Sequence, residues 1–156
     1  MGQIDKNGNI KMVNVTEKIE THRTAKGHAR IWMSPEAFRM ILQNKVKKGD
    51  VLTSAKIAGI MAAKKTGELI PLCHPLNLTF VDILFKMRES DNSIEIESFA
   101  ELTGKTGVEM EALIAASTAA LTIYDMVKSI DKTIQIGEIY LLEKTGGKSG
   151  HYIRKN

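Results

Sequence analysis

The chain has 156 residues, with 22 Lys and Arg against 18 Asp and Glu, 43% hydrophobic residues and 26% charged ones. That is the balance of a globular domain long enough to bury a core without a disulfide or a metal, and the single cysteine, Cys73, excludes an internal disulfide and a multi-cysteine zinc site. A net charge of +4 and a pI near 9.1 fit either a nucleic acid or a phosphate-bearing metabolite as partner, but aromatics are only 5% of the chain, too few for extended base stacking.

Residues 1–15 are polar with scattered Met and Val and read as a flexible N-terminal arm; residues 16–156 read as a single domain with a glycine-rich C-terminal tail. From Glu20 to Met33 the pattern is a strand, in which Ala29, Ile31 and Met33 alternate with His28, Arg30 and Trp32. Ser34-Pro35-Glu36 follows, an N-cap with a proline at the first helical position and an early acid, and it opens a helix over Pro35 to Gln43. Asp50 can cap a second helix running to about Lys65, with Gly67 at its stop. Two prolines then hold LIPLCHPLNL extended. Leu78 to Arg88 and Ser93 to Leu102 read as strands paired across Glu89-Ser90-Asp91-Asn92, the second alternating clearly as IEIESFAEL. A long helix runs from near Val108 to about Lys128. Its stretch from Ala112 to Tyr124 carries no charge and is too short to span a membrane, which predicts a buried helix or one packed at a subunit interface. The final strand covers Thr133 to Glu143. Counting the first two helices as one crossover, the order is strand–helix–strand–strand–helix–strand. It predicts an α+β, ferredoxin-like split βαβ fold: an antiparallel four-stranded sheet with helices on one face.

Within LIPLCHPL, Pro71 and Pro75 bracket Cys73-His74. Prolines lower the entropy lost on ordering a loop, so His74 could be displayed as a hydrogen-bond donor or proton carrier beside Cys73; a rigid connector with a buried thiol fits the same residues. Adjacent Cys and His do not match zinc-ligand spacing. Gly104-Lys105-Thr106 and Gly147-Lys148-Ser149 each resemble the end of a P-loop, but the earlier glycine that motif needs is Phe99 or Leu142 here. Glycine-rich turns beside a lysine can still hold a phosphate, and the first leads into a helix N-terminus; a plain turn and a frayed tail are the competing readings. Glu109 and Glu111 sit in the first turn of the long helix, where carboxylates suit the dipole. Asp125 lies near that helix's C-terminus, where a carboxylate is disfavoured, with Lys128 three residues on. The alternatives are a surface ion pair and an acid–base pair tuned by partial burial, and the dipole mismatch favours the second. Lys45, Lys47 and Lys48, like Arg23 and Lys26 in the first strand, are either solvated charges or phosphate contacts.

Taken together, KKGDVLTSAKIAGIMAAKKTGELIPLCHPLNL, ELTGKTGVEMEALIAASTAALTIYDMVK and LLEKTGGKSG closely resemble the molybdenum cofactor biosynthesis protein C family, the cyclic pyranopterin monophosphate synthases, over about Val13 to Gly150. The resemblance implies a homo-oligomer, a hexamer built as a trimer of dimers with active sites at the dimer interfaces. It also implies a lyase that converts 3′,8-cyclo-7,8-dihydroguanosine 5′-triphosphate to cyclic pyranopterin monophosphate and diphosphate. By the same resemblance Asp125, Lys128 and Lys48 are catalytic. Leu72, Cys73, His74, Glu109, Met110 and Glu111 bind substrate, and Arg23, Lys26, Lys144 and Lys148 lie on the phosphate side. No cofactor is required; a divalent cation such as Mg²⁺ can accompany the triphosphate. No nucleic acid, membrane or protein metal site is implied. The start, MGQIDKNGNIK, has no apolar signal-peptide core, so a cytoplasmic location is expected. The alternatives from other classes are an RNA-binding module of the same topology and a non-catalytic, nucleotide-sensing oligomer. Three glutamates on the strand that would face RNA, Glu95, Glu97 and Glu101, weigh against the first.

Overall fold

The computed structural model describes residues 3–148 and 150–155; Met1 and Gly2 of the expected arm, Ser149 of the second glycine-rich tripeptide, and Asn156 lie outside the described residues. The elements in chain order are β1 (Thr21–Trp32), α1 (Pro35–Leu42), α2 (Val51–Ala63), α3 (Thr66–Leu69), β2 (Phe80–Arg88), β3 (Ser93–Gly104), α4 (Glu109–Val127), β4 (Gln135–Thr145) and β5 (Tyr152–Ile153). The sheet is antiparallel throughout, in the order β2-β3-β1-β4-β5. The first four strands of that order are the ferredoxin-like arrangement. The fifth, β5, extends the sheet at its edge and is only two residues long, too short to show a period in the sequence. The single turn α3 also lay beneath that limit, occupying the place read as a stop after α2.

Local chemistry sets the helix starts. The Ser34 hydroxyl accepts from the Ala37 amide at 3.3 Å and Pro35 begins α1. Asp50 accepts from the Thr53 amide at 3.0 Å and its hydroxyl at 2.7 Å to begin α2. Asp131 is buried, and its carboxylate accepts from the Thr133 hydroxyl at 2.7 Å and from the Ser34 amide at 2.7 Å. Those bonds hold its pKa below the usual carboxylate value and tie the start of α1 to the turn before β4.

Strand parity separates the two faces of the sheet. Ala25, Ala29 and Ile31 of β1 and Ile94, Ile96, Ala100 and Leu102 of β3 are fully or almost fully buried beneath the helices. Each large aliphatic side chain among them contributes about 1.5–3 kcal/mol by leaving water. From above, α4 supplies Ala112, Ala115, Ala116, Ala119 and Ala120, all buried, and small side chains let its backbone come close. Gly27 in β1 marks the closest approach, where a Cβ would stand 2.8 Å from the Ala112 carbonyl oxygen. The helix is long and apolar enough to cross a membrane by composition, but half of it is buried in this packing, as expected of a core helix. The opposite face carries Glu95, Glu97, Phe99 and Glu101 of β3, with Glu95 bonded to Arg88 at 2.9 Å and Glu101 to His22 at 3.0 Å. His28 stacks on Tyr140 there with ring centroids 4.7 Å apart, and the Arg154 guanidinium covers the Tyr140 ring.

Candidate active site

Two adjoining cavities open at the N-terminal end of α4. The first, about 330 Å³, is lined by Leu72, Cys73, His74 and Leu76 from the loop between α3 and β2, by Glu109, Met110 and Glu111 from the first turn of α4, and by Val13 and Val15. Leu72 holds φ at +66°, a left-handed conformation that costs a side-chain-bearing residue energy. The strain falls between Pro71 and Cys73, where it turns the next two side chains toward α4. His74 Nε2 lies 2.8 Å from the Val13 carbonyl, which can only accept, so Nε2 carries a proton and donates it in this bond. Glu111 is 3% exposed, and burial pushes its carboxyl up to about 7, with the Glu109 charge adding to the shift. The Cys73 thiol is also pushed up, by burial and then by the charge of Glu111, so it stands as a neutral thiol.

The second cavity, about 610 Å³, is cationic. Arg23, Lys144, Lys148, Lys105 and Lys18 line it, with Thr106, Gly107 and Glu109. Arg23 donates from Nε to the Gly104 carbonyl at 2.9 Å and from Nη2 to the Lys105 carbonyl at 3.3 Å, which fixes the guanidinium plane. The loop after β4 packs against it: Gly146 and Gly147 have φ of +90° and +73°, and a Cβ on Gly147 would stand 2.3 Å from Arg23 Nη1. Lys144 Nζ meets Glu109 Oε1 at 2.6 Å. Lys18, Thr106, Gly107 and Glu109 line both cavities.

Asp125, Lys128 and Lys48 form a separate cluster at the other end of α4. Lys128 Nζ donates to Asp125 Oδ1 at 2.6 Å, and Lys48 Nζ donates to Asp125 Oδ2 at 3.2 Å and to its carbonyl at 2.7 Å. The hydrogen bond from Lys128, then that from Lys48, holds the Asp125 carboxyl below its usual value, and Asp125 in turn raises Lys128. The expectation of tuning by partial burial is corrected here: these side chains are about half exposed, at 58% for Asp125 and 50% for Lys128, and the shifts come from the ion pairs. Those two lysines also offset the dipole mismatch of a carboxylate at a helix C-terminus. Asp125 is an ionised acceptor and Lys128 a charged donor.

The chain therefore brings Leu72, Cys73, His74, Glu109, Met110, Glu111, Arg23, Lys144 and Lys148 to one place, and Asp125, Lys128 and Lys48 to another. From Glu109 to Asp125 the helix rises about 24 Å. Lys26 belongs to neither group: it faces the opposite side of the sheet from Ala25 and pairs with Glu143 at 2.8 Å. Lys18 and Lys105, not singled out as site residues in the sequence, line the cationic cavity. The signal for Lys105 was the glycine-rich turn 104–107; Lys18 had none. Among the described residues no three His, Cys, Asp or Glu side chains gather as a metal site.

Residues 12–147 match the MoaC family. The cyclic pyranopterin monophosphate synthase of Heliobacterium modesticaldum is 55% identical over 97% of this chain and 95% of its own length. Its counterpart in Staphylococcus carnosus is 52% identical over 98% of this chain and 96% of its own. That of Thermomicrobium roseum is 49% identical over 98% and 92%. With identity of this order along nearly the whole sequence, the chain belongs to the MoaC family.

Proposed function

We propose that this protein is a cyclic pyranopterin monophosphate synthase, a lyase that converts 3′,8-cyclo-7,8-dihydroguanosine 5′-triphosphate to cyclic pyranopterin monophosphate and diphosphate. The observation that carries the proposal is the pair of joined cavities, one with buried carboxyl, imidazole and apolar groups for a ring system, the other lined with cations for a polyphosphate. The family relationship supports it independently.

The ring cavity takes the purine-derived ring, oriented by His74 and the Met110-Glu111 turn, with Leu72 and Cys73 against it. A Glu111 carboxyl near 7 can hold or release a proton at neutral pH. Arg23, Lys144 and Lys148 bind the phosphates. Asp125 and Lys128 form the acid–base pair, the ionised carboxylate accepting protons and the ammonium supplying them, while Lys48 holds Asp125 in place and adds positive charge. In the last step a sugar-derived oxygen bonds to the α-phosphorus as the bond to the bridging oxygen of diphosphate breaks. The electron pair leaves with diphosphate, and the hydroxyl proton passes to Asp125. No resident cofactor takes part; Mg²⁺, if used, enters with the triphosphate.

The catalytic cluster and the joined cavities are too far apart to share one substrate within one chain, which supports a site made by two copies. We take the assembly to be a hexamer, a trimer of dimers, acting in the cytoplasm. Incubation with the cyclic dihydro-GTP substrate tests the proposal: diphosphate and the cyclic monophosphate are the expected products. Tight binding without turnover would instead mark a nucleotide sensor, and near-normal turnover by Asp125→Ala or Lys128→Ala would remove those residues from the acid–base role.

A further inference from the structure

The segment 13–19 ahead of β1 crosses the mouths of both cavities. Val13 and Val15 line the ring cavity, Glu17 and Ile19 the cationic one, and Lys18 lines both. Its internal shape is a tight turn, with the Asn14 side-chain oxygen accepting from the Thr16 amide at 2.8 Å and the Val15 carbonyl accepting from the Lys18 amide at 3.0 Å. Two side chains of the site pin it to the body. His74 Nε2 donates to the Val13 carbonyl at 2.8 Å, and Lys105 Nζ donates to the Thr16 carbonyl at 2.7 Å. Lys18 lies two residues beyond Thr16, and its ammonium makes no hydrogen bond or ion pair among the described residues.

Cavity geometry and substrate connectivity then point to one group. The α-phosphate joins the sugar to the diphosphate, so with the ring in one cavity and the diphosphate in the other it lies at their shared boundary. That boundary is made by Lys18, Thr106, Gly107 and Glu109. Glu109 repels a phosphate and is occupied by Lys144, Thr106 offers a neutral hydroxyl, and Lys18 is the one cation present there. We propose that Lys18, carried on a strap of residues 13–19 pinned by His74 and Lys105, is a further substrate-binding residue whose ammonium closes on the α-phosphate. The inference rests on the reaction proposed above. Charge on the α-phosphate redistributes as diphosphate leaves, so a cation held there lowers the barrier as well as tightening binding.

The test compares wild type with Lys18→Ala and Lys18→Arg in two measurements: steady-state kinetics on the cyclic dihydro-GTP, and binding of inorganic tripolyphosphate by calorimetry. Lys18 is exposed, so neither change should alter the melting temperature. The expected result is a loss of about 10- to 100-fold in kcat/KM for the alanine variant, part of it in kcat, with substantial recovery in the arginine variant. Tripolyphosphate affinity should fall about tenfold in parallel. An alanine variant with wild-type kcat and KM overturns the role of Lys18 and leaves the reaction assignment standing. A wild-type protein that binds tripolyphosphate in a Lys18-dependent way but yields no cyclic product overturns the reaction and keeps Lys18 as a phosphate ligand. Tripolyphosphate binding that ignores Lys18, in a protein without turnover, overturns both.

Discussion

At position 111 the fold works against itself. A glutamate whose carboxyl is raised to about 7 by burial binds a proton more tightly folded than unfolded, where its value is near 4.5. The sign follows directly: from about pH 4.5 to 7 the unfolded chain gives up this proton while the folded chain keeps it, so rising pH draws stability away through that window. Glu111→Gln should melt higher than wild type at pH 8, and the gap between the two should shrink as the pH is lowered toward 4.5. Melting temperatures across that range check this, and a gap independent of pH would show that Glu111 titrates normally. Asp125, Asp131 and Asp50 have lowered values and act in the opposite sense, but they are common to both proteins and cancel in the difference. A carboxyl kept at such expense in a cavity is what a proton-handling site requires. Leu72 is a second strained residue in the same wall. With φ at +66°, glycine suits its backbone better than alanine does. Leu72→Gly should therefore be more stable than Leu72→Ala by about 1 kcal/mol, although alanine retains more of the side chain. The order of the two melting temperatures at equal protein concentration decides it, and the reverse order would mean that the turn relaxes out of the left-handed region.

Among the elements, the contact of α2 with α4 controls the position of the Asp125 cluster. Gly59 of α2 meets α4 so closely that a Cβ would stand 2.7 Å from the Ala115 carbonyl oxygen and 2.2 Å from Ile83 Cδ1. Alanine is the better helix former by about 1 kcal/mol. Overpacking against a backbone carbonyl costs about 1–3 kcal/mol, because the Ile83 side chain can move and the backbone cannot move cheaply. Gly59→Ala should thus lower the melting temperature, and it should also lower turnover, since moving α2 draws Lys48 away from Asp125. A rise in melting temperature would mean that the helices separate freely. This contact also shows where the sequence stops speaking. Caps, prolines and the two hydrophobic periods located four strands and the three longer helices to within two residues at most ends, because those signals are local. Lys48 reaches Asp125 across 77 positions, a tertiary fact with no local sign. The division between Arg23 and Lys26 was legible in principle: residues three apart in a strand face opposite ways, which assigns Arg23 to the cationic cavity and Lys26 to the open face. The reach of segment 13–19 to His74 and Lys105 had no pattern in a polar, aperiodic stretch.

For the whole molecule, the decisive geometry is the separation along α4 of the Asp125 cluster from the two cavities. Thr118 is midway between Glu111 and Asp125, so an antiparallel pairing of two α4 helices about a two-fold axis near Thr118 would set Asp125 of each copy beside Glu111 of the other. The outer surfaces of α2 and α4 leave Ile57, Met61 and Leu121 more than half exposed, an apolar area suited to such a pairing. If each active site draws one end of α4 from each copy, defects at opposite ends must complement. Asp125→Ala disables one end and Arg23→Ala the other, so either homodimer has two broken sites. In a heterodimer of the two, one site collects both defects and the other collects neither. Random assembly from equal amounts makes about half of the dimers mixed, each with one intact site of two, so activity should return to about a quarter of wild type. Asp125→Ala mixed with Lys128→Ala is the control. Both defects lie at the same end of α4, every site keeps one of them, and no activity should return. Co-expression of the two chains at equal levels forms each mixture, and diphosphate release from the unseparated assemblies reads it out. Equal inactivity of both mixtures would place the whole catalytic site within single chains, leaving the 24 Å separation (about 16 residues of helix) to be closed by a change of conformation instead of a partner.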